Sequence, residues 1–191
     1  MTNYYSGIGS RETPEHILNI MHHIGAYLAN QGWTLRSGAA SGADASFEEG
    51  ANHEDGATEI YLPWEGFNFS KSPLHPKTYP FSDEEKAFAA QYHPNWKKCS
   101  PSARLLHQRN TRQLVGLEAI HGEQVVVSKF VVCWTEGGAL KGGTAQALRI
   151  ATAINIPIIN LGAAKTAQEL KALVLKVDEL QTQLKDKTVL S

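Results

Sequence analysis

The chain is poor in the residues that would commit it to a disulfide-stapled, metal-rich or membrane-bound architecture. It has two cysteines, Cys99 and Cys133, in 191 residues. Two thiols so far apart build neither a disulfide framework nor a cysteine zinc set, and a reducing, cytoplasmic setting is the expectation. Cys133 lies in the apolar run 130–134, where a buried free thiol is the ordinary outcome. No apolar stretch approaches the roughly 20 residues that span a bilayer. Residues 1–10 have neither the basic flank nor the apolar run of a secretory signal, so no membrane partner is expected. Charge excess is also missing: 18 basic against 19 acidic residues leave a formal net charge of −1, which excludes a global basic field for DNA or anionic lipid. The histidines at 22, 23, 53, 93, 107 and 121 show no spacing such as H-E-x-x-H, and no G-x-S-x-G elbow occurs. No metal, no cofactor and no serine nucleophile are expected.

What is present is an alternation of short apolar runs and helical patterns, with 42% apolar residues and 16 glycines. This pattern predicts a Rossmann-like, doubly wound α/β fold: a mostly parallel sheet with helices on both faces. Strands are predicted at 4–8, 33–36, 58–62, 130–134 and 156–161. Thr13 with Pro14 opens a helix whose stripe is Ile17, Met21, Ile24 and Leu28, ended by Gly32. A short helix follows to about residue 51. Ser82 to Glu85 reads as a capping box opening a helix to about 92, and Ser100-Pro101 opens another to about 117. A further helix spans 143–154. Residues 63–80 hold four prolines and several aromatics without a period, the signature of a long excursion that serves as lid or interface. Residues 1–165 are expected to form the domain. Residues 166–191 carry an amphipathic helix, to about Lys187, with Leu170, Leu173, Val177, Leu180 and Leu184 on one face. It either packs on its own sheet or pairs with a second subunit, giving a homo-oligomer, dimer or higher.

Three strands run into glycine-rich loops that precede helices. In a parallel sheet such loops share the carboxyl edge, where ligands bind at switch points, and the helix N-termini beyond them favour phosphate. The first loop carries Gly9, Ser10 and Arg11. It lacks the third glycine of a dinucleotide fingerprint. Arg11 forks onto phosphate, stacks on a base, or is a surface arginine beside a tight turn. The second spans Ser37, Gly38, Ser41, Gly42 and Asp44, whose carboxylate either meets a ribose hydroxyl or caps its own helix. The third carries Thr135, Glu136, Gly137, Gly138, Gly142, Gly143 and Thr144. It resembles a Walker A loop until position 143, glycine where that motif needs lysine.

Taken together, the order Gly9-Ser10-Arg11, Ser37-Gly38 with Ser41 to Asp44, Arg109-Asn110, Gly142 to Thr144 and Ile156-Pro157 resembles the SLOG superfamily. It is most similar to the DprA/Smf-like Rossmann domain and its phage-encoded relatives, over roughly residues 4–161. The resemblance implies binding of a nucleotide, a nucleotide-derived signal or single-stranded DNA, with the residues just named, Arg109 and Asn110 included, around the ligand. In a phage, such a protein would sequester a host immune signal. The hydrolytic LOG branch carries PGG-x-GT-x-x-E with a catalytic glutamate, and here Ala147 stands in that place. Alanine has no group to stabilise an oxocarbenium ion or activate water, so any hydrolysis falls to Glu136, Asp44 or Glu48. The expectation is therefore binding without turnover. An N-glycoside hydrolase acting on a nucleoside monophosphate or NAD-like compound is one alternative. The other is a single-strand DNA binder, since residues 86–117 hold Lys86, Lys97, Lys98, Arg104, Arg109 and Arg112, no acidic residue, and interleaved Phe88, Tyr92 and Trp96. Solvated helix faces and core aromatics explain the same pattern.

Overall fold

The computed structural model describes residues 2–186. Five parallel strands form one sheet in the order β3-β2-β1-β4-β5, with β1 at Asn3–Gly9, β2 at Trp33–Ser37, β3 at Thr58–Ile60, β4 at Val131–Trp134 and β5 at Ile158–Asn160. Every pairing is parallel, with Ser6 beside Arg36 on one side of β1 and beside Val131 on the other. Helices are α1 Glu15–Asn30, α2 Ala43–His53, α3 Asp83–Gln91, α4 Pro101–Val115, α5 Thr144–Ala153 and α6 Ala167–Asp186. The Rossmann-like doubly wound architecture follows: the chain winds one way through β1, β2 and β3, then returns through β4 and β5. The switch point lies between β1 and β4.

Two cores sit on the two faces. On one, Ile17, Met21, Ile24 and Leu28 of α1 pack with Phe47 of α2, Leu35, Phe130 and Val177 of α6. The α1 stripe follows the 3.6-residue period, which is why it could be read from sequence. On the other, Leu114 of α4 packs with Ala147, Leu148, Ile150 and Ala151 of α5 against Ile8, Val131 and Cys133. The amphipathic face of α6 meets the first core through Leu170, Leu173, Val174, Leu180 and Leu184. Trp33 Nε1 donates to Gln181 Oε1 at 3.1 Å, so a buried indole N–H is satisfied by the same helix. Lys187, the expected helix end, lies outside the described residues.

Several element ends depart from the sequence expectation for local reasons. Pro14, in extended conformation, takes the N-cap position of α1 without a side-chain cap. The Thr13 hydroxyl instead donates back to the Ser10 carbonyl at 2.8 Å, tightening the turn after β1. β3 ends at residue 60 because the Leu62 N–H turns to the Leu74 carbonyl, 2.9 Å away in the excursion. α4 stops at Val115 because Gly116 adopts φ +75°, a left-handed conformation that suits glycine. The Ser82–Glu85 capping box is formed as read. Among the described residues, no helix is long and apolar enough to cross a membrane.

Candidate functional site

The carboxyl edge holds a buried polar hub with an exposed rim. At the hub, Asp44 begins α2 and is 3% exposed. Its Oδ1 accepts from the Gly9 N–H at 3.2 Å, and its Oδ2 accepts from Arg109 Nη1 at 3.3 Å and Gln113 Nε2 at 3.4 Å. Burial pushes its carboxyl above the ordinary range, while the Arg109 charge, backbone N–H groups and Gln113 pull the other way. Arg109 is equally enclosed; it also donates to the Gly38 carbonyl, and its Nε is a buried group without a partner. A side chain at residue 38 would meet that guanidinium at 1.3 Å. Gly38 is therefore glycine to admit Arg109.

The next residue ties the hub to the third loop. Asn110 Nδ2 donates to the Gly143 carbonyl at 3.1 Å and to Gln146 Oε1 at 3.3 Å, and Gln146 in turn donates to the Ala89 carbonyl at 3.2 Å. Ser37 donates to the Gly7 carbonyl at 2.7 Å, and Thr135 accepts from Asn160 Nδ2 at 2.7 Å. Ser37, Gly38, Asp44, Arg109, Asn110 and Thr135 thus face inward and hold the loops in place. Gly9 and Gly42 permit close approach of backbone: a Cβ on Gly9 would lie 2.6 Å from that of Ala43, and one on Gly42, at φ +85°, 2.8 Å from the Ser10 carbonyl oxygen. Ala147, 1% exposed, is a core residue of α5.

The rim is formed by what remains. Arg11 and Ser41 are exposed, Ser10 is half-buried, and the stretch Glu136, Gly137, Gly142 and Gly143 stands in solvent ahead of α5, with Gly138 and Thr144 half-buried. Because β1 and β4 are neighbours, the first and third loops adjoin, joined by the Ser10 N–H on the Trp134 carbonyl at 3.2 Å. Beside them a cleft of about 480 Å³ is lined by Arg11, Trp64, Phe67, Phe69, Ser102 and Leu106, together with Gly66 and Asn68. Phe69 is 98% exposed. Asn68 and Phe69 have left-handed φ of 47° and 62°, a conformation costly for non-glycine residues. Asn68 Nδ2 is held by the Ala39 carbonyl at 2.8 Å, which fastens the excursion onto the second loop. Ser102 lies in the first turn of α4, where helix N–H groups lack intrahelical partners. A larger cavity, about 740 Å³, lies at the amino edge between Tyr4, His121 and Pro157, away from the switch point.

Sequence reasoning missed Trp64, Phe67, Phe69, Ser102 and Leu106. The only available signal was the aromatic content of an aperiodic, proline-rich segment. It also overcounted the basic run. Arg112 is 1% exposed, with Nε donating to Glu85 Oε1 at 2.6 Å and two more donors on the Tyr79 and Pro80 carbonyls. Lys86 pairs with Asp83 at 2.8 Å. Phe88 and Tyr92 pack on the second core. The segment is therefore no continuous basic and aromatic groove. A further grouping departs from the absence of ligand spacing: His93, Cys99 and His107 converge, each with a donor atom within 4.8 Å of the others.

The class this geometry defines is a Rossmann-like α/β domain with a loop-lined cleft at its switch point. No protein-family model matches the chain, and no curated protein is significantly similar. Solved structures share its fold: the molybdenum cofactor (Moco) carrier protein of Chlamydomonas rheinhardtii, at 16% identity and TM-score 0.54, covers 95% of this chain and 99% of its own. DNA processing protein A of Helicobacter pylori, at 16% identity and TM-score 0.54, covers 96% and 81%.

Proposed function

We propose that the cleft beside Arg11 binds a nucleotide or nucleotide-derived signalling molecule and does not turn it over. The observation that carries this reading is the convergence of Arg11, Trp64 and Phe69 on one open cleft beside the first turn of α4. Its volume falls within the ~300–1,000 Å³ of small-molecule sites. A base stacks on an aromatic face, Arg11 forks onto a phosphate, and the positive end of α4 beside Ser102 favours further anionic oxygen. The exposed loop 136–143 offers a second anionic position before α5. Absence of turnover is supported by Ala147 in the core and by the fully engaged carboxylate of Asp44.

The shared fold supports a holding role: one structural neighbour is named as a cofactor carrier, and another for its single-stranded DNA binding mode. The resemblance to SLOG proteins of the DprA type, phage-encoded ones among them, extends the reading to cytoplasmic retention of a host immune signal. Assembly of two or more copies through residues 63–82 belongs to the same proposal.

Calorimetry with AMP, ADP, NAD and cyclic nucleotides, followed by chromatography of the recovered ligand, tests it. One compound binds and returns intact, and Arg11→Ala weakens it about 10–100-fold, the loss expected for a hydrogen bond from a charged group. Free base in the recovered ligand overturns the non-catalytic claim and leads to Glu136→Gln. Preference for a single-stranded oligonucleotide, with affinity falling steeply with salt, identifies the DNA alternative. Binding indifferent to both Arg11→Ala and Trp64→Ala places the ligand elsewhere.

A further inference from the structure

We infer that His93, Cys99 and His107 form a binding site for a zinc-class divalent cation. It is independent of the nucleotide reading. The three side chains come from the connection between α3 and α4: His93 follows the end of α3, Cys99 ends the single turn at Trp96–Lys98, and His107 lies in the second turn of α4. Their donor atoms lie within 4.8 Å of one another. His93 Nδ1 is 3.5 Å from Cys99 Sγ. A tetrahedral zinc with bonds of ~2.05 Å to nitrogen and ~2.3 Å to sulfur puts those atoms about 3.6 Å apart. The two imidazole rings have centroids 4.3 Å apart, close enough to converge on one ion.

Two further observations point to a ligand. Nδ1 of His107 is buried with no hydrogen-bond partner, a state that an imidazole nitrogen rarely keeps unless something else binds it. The other two donors are only weakly engaged: His93 Nδ1 accepts from the Asn95 N–H at 3.2 Å, and Cys99 Sγ contacts the Asn95 carbonyl at 3.7 Å. A metal would replace both. Two imidazoles and a thiolate are the soft and borderline donors that zinc takes, with a fourth position left to water.

The surroundings decide which ligand matters most. Lys97 and Lys98 immediately precede Cys99 in sequence, and Arg104 lies over the Trp96 ring at 5.7 Å. Two neutral imidazoles beside these cations would hold a dication poorly, and the thiolate supplies the compensating negative charge. Bound metal would staple the start of α4 to the end of α3. His107 lies about 100° around α4 from Leu106, one of the residues lining the cleft.

Titration of the metal-free protein with Co(II) tests the site. The expected result is one equivalent bound with the intense visible bands of tetrahedral cobalt and a thiolate-to-metal charge-transfer band, both erased by Zn(II). Cys99→Ser removes the charge-transfer band and weakens binding by more than about 100-fold, beyond the 10–100-fold of outer-shell changes. His107→Gln weakens it less, and far-UV circular dichroism confirms that each variant is folded. Zn(II) also protects Cys99 from alkylation in the wild-type protein. Weak octahedral cobalt bands, binding unchanged in Cys99→Ser, or Cys99 alkylation indifferent to Zn(II) overturns the assignment.

Discussion

Arg109 occupies the volume that a side chain at residue 38 would fill, and from there donates to both the Gly38 carbonyl and Asp44. The two charges are nine-tenths buried or more, so each depends on the other. Removing one member of such a pair leaves an uncompensated charge and costs about 3–5 kcal/mol. Arg109→Leu and Asp44→Leu are each expected to lose stability on that scale by urea denaturation. The double variant loses less than the sum, because neither charge remains to be stranded. Gly38→Ala is expected to behave like Arg109→Leu, since the added methyl evicts the guanidinium. Additive losses in the double variant would mean that the two groups do not interact.

Asn110 suits its place because its amide N–H₂ faces two acceptors, the Gly143 carbonyl and Gln146 Oε1. Asn110→Ala is expected to cost about 1–2 kcal/mol from the two lost bonds. Asn110→Asp is expected to cost more at neutral pH, since a carboxylate has no donor to offer and repels both oxygens. In either variant, amide hydrogen exchange speeds up first in residues 137–143, which the side chain holds to α4. Uniform acceleration across the sheet instead would show that Asn110 supports the whole fold and not that loop.

The strand–loop–helix order was legible because each unit is local: the α1 stripe repeats every 3.6 residues, the Ser82–Glu85 box spans four, and the glycines mark strand ends. The roles of the loop residues were less legible. Gly38 reads as room for a ligand, yet its partner is an arginine 71 residues later. Asp44 was open between ribose contact and helix cap. It does not cap its helix, and it receives hydrogen bonds from Gly9 at the end of β1 and from Arg109 and Gln113 of α4. The cleft aromatics left no trace beyond composition, because an aperiodic segment carries no face. Nor did the three donors of the metal cluster, since their spacing matches no standard motif.

Arg112 shows how far a charge can sit from the role its sequence suggests. Enclosed beneath Phe81, whose ring lies 4.1 Å from its guanidinium carbon, it holds the Tyr79 and Pro80 carbonyls and the carboxylate of Glu85. Glu85 also closes the capping box of α3, so one arginine secures both the excursion and the helix start. Arg112→Ala is expected to lower stability by about 2–3 kcal/mol, from the lost charge-assisted bonds to Glu85 and the two carbonyls left without a donor. Lys97→Ala with Lys98→Ala, both exposed, is expected to leave it within about 0.5 kcal/mol. If the protein binds single-stranded DNA, replacing the lysine pair lowers the salt dependence of that affinity, whereas Arg112→Ala changes it only through unfolding.

Cys133 sets a limit on alkaline stability. Burial in β4 pushes its thiol from an ordinary value of 9.0 up to about 12. The unfolded chain therefore ionises this group first as pH rises, and the contribution of the buried neutral thiol is complete below pH 9 and is lost progressively between 9 and 12. Between pH 8 and pH 10 the wild-type protein is expected to lose about 1.4 kcal/mol through this group alone. Burial also pushes the hydroxyls of Tyr5 and Tyr61 upward, so the wild-type curve bends for more than one reason. Cys133→Ala keeps both tyrosines and removes only the thiol. The difference in unfolding free energy between the two proteins, measured by urea denaturation at pH 8 and pH 10, isolates it: the alanine variant is less stable at pH 8 and gains about 1.4 kcal/mol on the wild type by pH 10. Parallel curves would show that the thiol ionises as readily in the folded protein as in the unfolded chain.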